Sequence, residues 1–166
     1  MQQLQIPKVN VPESVVDWLL EENEPSARYE TLVQLLEKTQ NDESVRRTRD
    51  QIGLKGWAAK ILDKQKEETY WDNPTSCLVP KFSACSWQLI VLADLGVSRR
   101  DRRVAKAVEH FLDHHNVESG GFSLRPKGRD KFEPHICLTG NMVRTLSRIG
   151  YHEDDRVLKS LDWLIS

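Results

Sequence analysis

A run of ionisable residues, His152 to Asp155, offers the chain a dense set of groups that could exchange protons. Carboxylic acids act as proton donors and acceptors in catalysis, so Asp154 and Asp155 are candidate catalytic residues. The same two residues precede a helical apolar pattern, where aspartate caps unpaired N–H groups and faces the positive end of the helix dipole. We prefer this capping role and keep catalysis as the alternative.

Cysteine and histidine supply the candidate metal ligands, which are Cys85, His135 and Cys137, with His114 and His115 as further donors. Zinc in proteins takes three or four nitrogen, sulfur or oxygen ligands in a tetrahedral array. The chain has no Cys-x-x-Cys pair, and free cysteine is also a common buried apolar residue. The spacing therefore supports neither zinc nor magnesium, so we predict no cofactor and keep zinc or magnesium as the alternative.

Five tryptophans could either line an apolar cavity or pack between helices: Trp18, Trp57, Trp71, Trp87 and Trp163. Because large aromatic residues bury much apolar surface, we expect them mainly in the core. Trp87 is the exception that we select for a ligand cavity, since it stands at the start of a predicted helix.

Two locally basic segments could contact phosphates, and they comprise Arg99 to Arg103 and the loop from Arg125 to Lys131. Acidic residues interleave with both, which is typical of a solvated turn. With a net charge of −1, the chain has no overall field that would attract nucleic acid, and we predict no nucleic-acid partner.

Composition places the chain among globular proteins, since 39% of its 166 residues are hydrophobic and 30% are charged. No apolar run approaches the roughly 20 residues that span a bilayer. Residues 1–10 lack the pattern of a signal peptide, and three cysteines form no paired framework. We expect one cytoplasmic domain without an integral membrane segment.

Apolar residues recur at helical spacing in eight segments that proline, glycine or asparagine residues interrupt. No segment alternates with period two, so we predict an all-α fold with almost no strand. The four clearest helices are predicted at Ser83–Leu95, Asp101–His114, His135–Ile149 and Asp154–Ile165.

An internal repeat relates two of these segments. The pattern from Asp101 to Leu112 recurs from Asp154 to Ile165 at an offset of 53 residues, as from Val104 to Val157. Two helices fill such a period, and each hairpin needs a neighbour to bury its apolar face. We therefore divide the single domain (1–166) into a cap-like region, 1–52, and helical repeats, 53–166. We expect the first helices of the hairpins in one layer and the second helices in the other.

Several turns carry motifs of a known superfamily. Gln65 with Trp71 matches a repeat signature in which a helix ends in glutamine and a turn delivers tryptophan, although Thr69 stands where glycine is usual. Gly120-Gly121-Phe122 matches a Gly-Gly-aromatic turn, and residues 137–142 and 150–157 match further sequence motifs of the same superfamily. From about Gly53 onwards, the chain resembles uncharacterised microbial members of the squalene cyclase and protein prenyltransferase superfamily.

This resemblance implies that the hairpins form part of an α/α toroid or superhelix around an apolar cavity. It implies an isoprenoid or other lipid-like ligand, with Trp87, Cys137 and Asn141 as candidate binding residues. The catalytic acid of the family's cyclases lies in Asp-x-Asp-Asp, and this chain lacks the first aspartate before Asp154-Asp155. The zinc ligands of its prenyltransferases have no residue-by-residue match.

Two functions stay open. The first is a prenyltransferase- or terpene cyclase-like domain that binds a lipid-like molecule, and whether it catalyses a reaction is undecided. The alternative is a non-catalytic helical-repeat scaffold for protein interaction. The last predicted helix is apolar over more than one narrow stripe, since it carries Leu158, Leu161, Trp163, Leu164 and Ile165. We therefore expect self-association, or a longer parent chain of which these residues are the N-terminal part.

Overall fold

The computed structural model describes residues 11–114, 118–124 and 133–166, and within these ranges the all-α class is confirmed. The described β structure is limited to three isolated bridges. Two α-helices, the second and the seventh, continue into π-helical stretches, Thr31–Leu35 and Ser147–Tyr151. The described α-helices are α1 (Glu13–Leu19), α2 (Pro25–Glu30), α3 (Glu43–Gln51), α4 (Gly56–Leu62), α5 (Cys85–Asp94), α6 (Arg102–Leu112), α7 (Ile136–Leu146) and α8 (Asp155–Ile165).

Aspartate side chains start three of these helices, and Asp154 does so in the capping role that we prefer for it from the sequence. Asp42, Asp101 and Asp154 each accept a hydrogen bond from the backbone N–H two residues ahead, at 2.8 to 2.9 Å. Each bond satisfies one of the donors that the first turn of a helix leaves unpaired, which contributes about 1 kcal/mol. These local signals fix where α3, α6 and α8 begin.

Helix contacts connect the elements in chain order. Helix α2 packs against α3 and α4, while α4 also touches α5. Helix α5 packs against both α6 and α7, and α7 packs against α8. The hairpins α5–α6 and α7–α8 thus lie side by side and meet through their first helices, and closure of such hairpins into a toroid stays a prediction.

The hydrophobic core is formed by side chains from the five helices α4 to α8, together with the loop before α7. Phe111 and Phe122 are fully buried, and their ring centroids lie 5.0 Å apart. Burial of each such side chain contributes about 1.5–3 kcal/mol. This core fixes α5 against α7 and so positions the surface that the two helices share. Other fully buried members are Leu62, Leu89, Leu92, Met142, Leu146 and Ile149.

The expectation that the tryptophans are mainly in the core is wrong for two of them. Trp18 is 66% exposed and Trp57 is 60% exposed. Helix α1 has only seven residues and none of them is buried, so the described residues leave Trp18 exposed. Trp57 is the second residue of α4 and its ring is covered on one side by the ammonium of Lys60, 4.6 Å from the ring centroid.

Candidate functional site on helices α5 and α7

The candidate ligand-binding residues belong to one surface, which we call the α5–α7 face. Each helix contributes three residues spaced by three or four positions, so that they share one side of the helix. The side chains on this surface are exposed or half-buried, although the two helices pack against each other. The α5–α7 face comprises Trp87, Val91 and Asp94 from α5, and Cys137, Asn141 and Arg144 from α7.

One end of the α5–α7 face is polar. The guanidinium of Arg144 donates to Asp94 at 2.8 Å, and Arg148 Nε lies 3.6 Å from the same carboxylate oxygen. All three side chains are about half exposed, so the ion pairs contribute at most about 1 kcal/mol each. Their role is therefore to hold a carboxylate and two guanidinium groups together where α5 and α7 end.

The opposite end is apolar and aromatic. Phe82 and Ile136 are 67% and 65% exposed, and the Phe82 ring lies 5.6 Å from the Trp87 ring. Trp87 Nε1–H donates to the carbonyl of Leu78 at 3.1 Å, so the polar atom of the indole is already satisfied. This bond fixes the ring and leaves its exposed part for apolar contact.

Between these ends, α7 carries an opening. A Cβ atom built on Gly140 would meet no heavy atom within 4 Å. Asn141 Nδ2 donates to the carbonyl of Cys137 at 2.9 Å, so its amide lies along the helix surface. The thiol of Cys137 is exposed beside it. A molecule lying along the two helices would meet little steric obstruction here.

The candidate acid Asp154 is the N-cap of α8. Its carboxylate is held by hydrogen bonds from Arg156, an arrangement that we call the Arg156 clamp. Arg156 donates to both Asp154 oxygens, from Nε at 2.9 Å and from Nη2 at 2.7 Å. Arg156 also donates to both oxygens of Glu109 on α6, at 2.9 and 3.0 Å. The hydrogen bond from Arg156 lowers the pKa of Asp154, so this group is a carboxylate at neutral pH. Asp155 is the exposed first residue of α8.

The candidate metal ligands do not come together. Cys85 is buried with its Sγ 3.7 Å from the carbonyl of Ala107, whereas Cys137 is exposed and His135 precedes α7. Among the described residues, no three His, Cys, Asp or Glu side chains are placed to hold a metal ion. Burial raises the pKa of the Cys77 thiol to about 12 and that of Cys85 further, which opposes the thiolate form that zinc binds.

Sequence reasoning missed a histidine pair one helical turn apart, His110 and His114, which is a spacing that zinc sites use. The structure separates their environments. His110 lies against the Tyr70 ring at a centroid distance of 5.5 Å. His114 is buried and stacked on Phe111, with Nδ1 3.1 Å from the carbonyl of Ser123. His115 and the basic loop from Arg125 to Lys131 lie outside the described residues.

The turn residues on which the resemblance rests make hydrogen bonds and packing contacts that hold helices together. Trp71 Nε1–H donates to the carbonyl of Ile61 at 2.7 Å, and Gln65 Nε2 donates to the carbonyl of Arg103 at 3.2 Å. The glutamine and tryptophan therefore tie the end of α4 to its turn and to the start of α6. Gly121 lies directly under the Trp163 ring of α8.

The Arg156 clamp has a counterpart 53 residues earlier that sequence reasoning also missed. Arg103 donates to both oxygens of Asp101, at 3.2 and 2.8 Å, and from Nη2 to the carbonyl of Gly53 at 2.7 Å. The signal that would have revealed both clamps is the pattern Asp-x-Arg, which occurs at the same offset as the repeat.

Three surface depressions have volumes of about 220, 200 and 640 Å³, and residues of the basic segment Arg99 to Arg103 line the first and the third. The largest is a shallow depression on the outer side of α6, lined by residues that include Arg102, Lys106 and His110. Trp87, Cys137 and Asn141 line none of the three and lie instead on the exposed α5–α7 face.

Comparison with protein-family models, curated proteins and solved structures finds no match to this chain. Across the described ranges, none of the helices combines the length and the apolar character needed to cross a membrane.

Proposed function

We propose that this chain is a helical domain of the squalene cyclase and prenyltransferase type that binds an isoprenoid or another lipid-like molecule on the α5–α7 face. The observation that carries the proposal is the exposure of Val91 on α5 and Ile136 on α7, two helices that pack together, with the exposed Phe82 ring in contact with the half-buried Trp87. Clustered apolar side chains of this kind mark interaction sites on soluble domains.

The shape of the α5–α7 face favours an elongated ligand. Trp87 and Asp94 are seven positions apart, which corresponds to about 10 Å along α5. An apolar chain can lie over this length with its end against Phe82 and Trp87. A single polar head group would then meet Asp94, Arg144 and Arg148, where hydrogen-bond donors and acceptors are both present.

The proposal assigns binding and no reaction. Asp154, the candidate proton donor, is held as a carboxylate by Arg156 and caps α8, which supports a structural role. Trp87 would act through the apolar area of its ring, since its N–H is already bonded to Leu78.

Equilibrium dialysis with a radiolabelled C20 isoprenoid alcohol tests the proposal. We expect saturable binding to the wild-type chain and at least a tenfold weaker affinity in Gly140→Leu, because leucine fills the open part of α7. That difference corresponds to about 1.4 kcal/mol. Ala27→Leu adds the same side chain on the exposed surface of α2 and is the matched control.

Circular dichroism would first establish that both variants are folded. Absence of saturable binding to the wild-type chain would reject the proposal. Equal loss of affinity in Ala27→Leu and Gly140→Leu would also reject it, since the effect would then be independent of the α5–α7 face.

A non-catalytic interaction scaffold is the second candidate function. The observation that favours it is a different exposed apolar surface, formed on α8 by Leu158, Leu161 and Ile165. Because this surface is on another helix, Leu161→Asp would impair a scaffold function and leave lipid binding at its wild-type affinity. A lipid affinity that falls in Leu161→Asp as much as in Gly140→Leu would argue against two separate surfaces.

A further inference from the structure

A small polar cleft lies between α2 and α3, and we call it the α2–α3 cleft. Its volume is about 200 Å³. Pockets for drug-sized molecules typically have volumes of about 300–1,000 Å³, so this cleft suits a smaller ligand. The residues that line it include Glu22, Arg28, Ser44, Thr48, Gln51 and Lys55.

Helix α3 places a polar stripe along this cleft. Ser44, Thr48 and Gln51 are spaced by four and three positions, so they share one side of α3. Helix α2 packs against α3, and the side of a helix that faces a packed neighbour is usually apolar. Thr48 is only 5% exposed, and its hydroxyl makes no hydrogen bond to any described residue. Because a buried hydroxyl normally has a partner, a polar molecule in the cleft would account for Thr48.

Cationic side chains outnumber carboxylates around the α2–α3 cleft. Arg28, Arg47 and Lys55 line it, with Glu22 as the one acidic side chain of the lining. Arg47 is paired with Glu43 at 2.7 Å, whereas Arg28 and Lys55 have no carboxylate within ion-pair distance among the described residues. In each of the other two depressions, two arginine or lysine side chains are balanced by two carboxylates. The excess of positive charge favours an anionic ligand here.

The donors of the α2–α3 cleft match a phosphate group. Arg28 is half-buried and donates from Nη1 to the carbonyl of Leu20, which fixes the guanidinium and leaves its other N–H groups free of that bond. Arginine binds phosphate oxygens through paired hydrogen bonds, and lysine binds them as a point charge. The hydroxyl of Thr48 and the amide of Gln51 add neutral donors. A carboxylate has one charge and two oxygens, and it would satisfy fewer of these groups.

We propose that the α2–α3 cleft binds a single phosphate group, as inorganic phosphate or as part of a small phosphomonoester. Arg28 and Lys55 supply the positive charges, while Thr48 and Gln51 supply neutral hydrogen bonds. Glu22 disfavours a higher negative charge, so one phosphate group fits better than a diphosphate. The proposal is independent of lipid binding, because the α2–α3 cleft shares no residue with the α5–α7 face.

Equilibrium dialysis of the full chain with radiolabelled inorganic phosphate tests the proposal. We expect saturable binding with a Kd of about 1 mM or lower. Lys55→Gln should weaken this binding at least fivefold. Lys64→Gln removes another exposed ammonium, outside the cleft, and should leave the affinity unchanged.

Competition with glycerol phosphate distinguishes the two sources of the phosphate group. Displacement at a lower concentration than unlabelled inorganic phosphate requires would identify a phosphomonoester site. Displacement only at a higher concentration would identify a site for inorganic phosphate. Both results support a phosphate site in the α2–α3 cleft.

Thr48→Val supplies a second measurement with a matched control. Thr145 on α7 is also buried, its hydroxyl has no partner among the described residues, and it lies outside the cleft. Without phosphate, neither Thr48→Val nor Thr145→Val should raise the unfolding equilibrium constant in urea denaturation, because neither variant loses a hydrogen bond. Thr48→Val should weaken phosphate binding at least threefold, and Thr145→Val should not change it.

Three outcomes would overturn the proposal. One is the absence of saturable phosphate binding to the folded wild-type chain. Another is the same affinity in a cleft variant and in its matched control, since binding would then not depend on the α2–α3 cleft. The third is displacement of phosphate by acetate as effectively as by unlabelled phosphate, since the site would then not select a phosphate group.

Discussion

Gly121→Ala should destabilise the protein strongly, because the site excludes a side chain for two separate reasons. Its backbone has a φ of +75°, a region that L-residues adopt at a cost of about 1–2 kcal/mol. A Cβ atom would also lie 2.8 Å from Pro134 Cβ and 2.9 Å from Trp163 Cε3. Overpacking of this kind costs about 1–3 kcal/mol. We therefore expect a loss of about 2–5 kcal/mol, a large part of the stability of a typical domain.

The same chemical change at Gly140 should have the opposite sign. Gly140 lies inside α7, and a Cβ atom there meets no heavy atom within 4 Å. Alanine is a better helix former than glycine by about 1 kcal/mol, so Gly140→Ala should stabilise the protein by up to that amount.

Urea denaturation, followed by circular dichroism, measures both changes in the free energy of unfolding. The m-value should be unchanged in both variants, so that the midpoints report stability directly. A loss below about 1 kcal/mol in Gly121→Ala would refute the packing of the Gly-Gly turn under Trp163. A larger loss of unfolding free energy in Gly140→Ala than in Gly121→Ala would contradict the surroundings that the structure gives to both glycines.

Two further predictions concern the Arg156 clamp and the Trp71 turn. The folded-state pKa of Asp154 is lowered from 3.8, so its carboxylate stabilises the fold above that pH and the contribution is lost as pH falls through the folded-state value. Asp154→Asn should therefore lower the free energy of unfolding by about 1 kcal/mol at pH 7. In urea titrations, this difference from the wild type should shrink below about pH 4. A difference that does not depend on pH would contradict the ion pair. Trp71→Phe removes the hydrogen bond to Ile61 and should cost about 1–2 kcal/mol, while the exposed Trp57→Phe control should be neutral in the same assay. Equal effects of the two tryptophan substitutions would contradict the buried position of Trp71.

Helix positions were predictable because their signals are local. Asp101 and Asp154 each cap a helix with their own side chains, and Gly150 interrupts the π-helical stretch after α7 with a φ of 113°. A cap or a left-handed glycine acts within a few residues of itself, so its effect is encoded in the order of the chain. The candidate residues Trp87, Cys137 and Asn141 followed from the resemblance, and periodicity placed them on helices.

Burial and charge pairing could not be predicted in the same way. Trp18 and Trp57 have the same side chain as Trp71, and only the neighbouring helices decide that Trp71 is buried and the other two are exposed. The pair Arg156–Glu109 joins residues on different helices, 47 positions apart. Such contacts depend on how hairpins pack, and a pattern of residue types along one helix does not contain that information.

Protection of Cys137 is the most direct test of lipid binding on the α5–α7 face. Its thiol is exposed on that face, while Cys77 and Cys85 are buried with raised pKa values, so a maleimide reagent at pH 7 should modify Cys137 alone. A saturating C20 isoprenoid alcohol should slow this modification at least tenfold, and Gly140→Leu should raise the alcohol concentration needed for half of that protection at least tenfold. Saturable binding of the alcohol with an unchanged rate at Cys137 would contradict the assignment and place the ligand elsewhere.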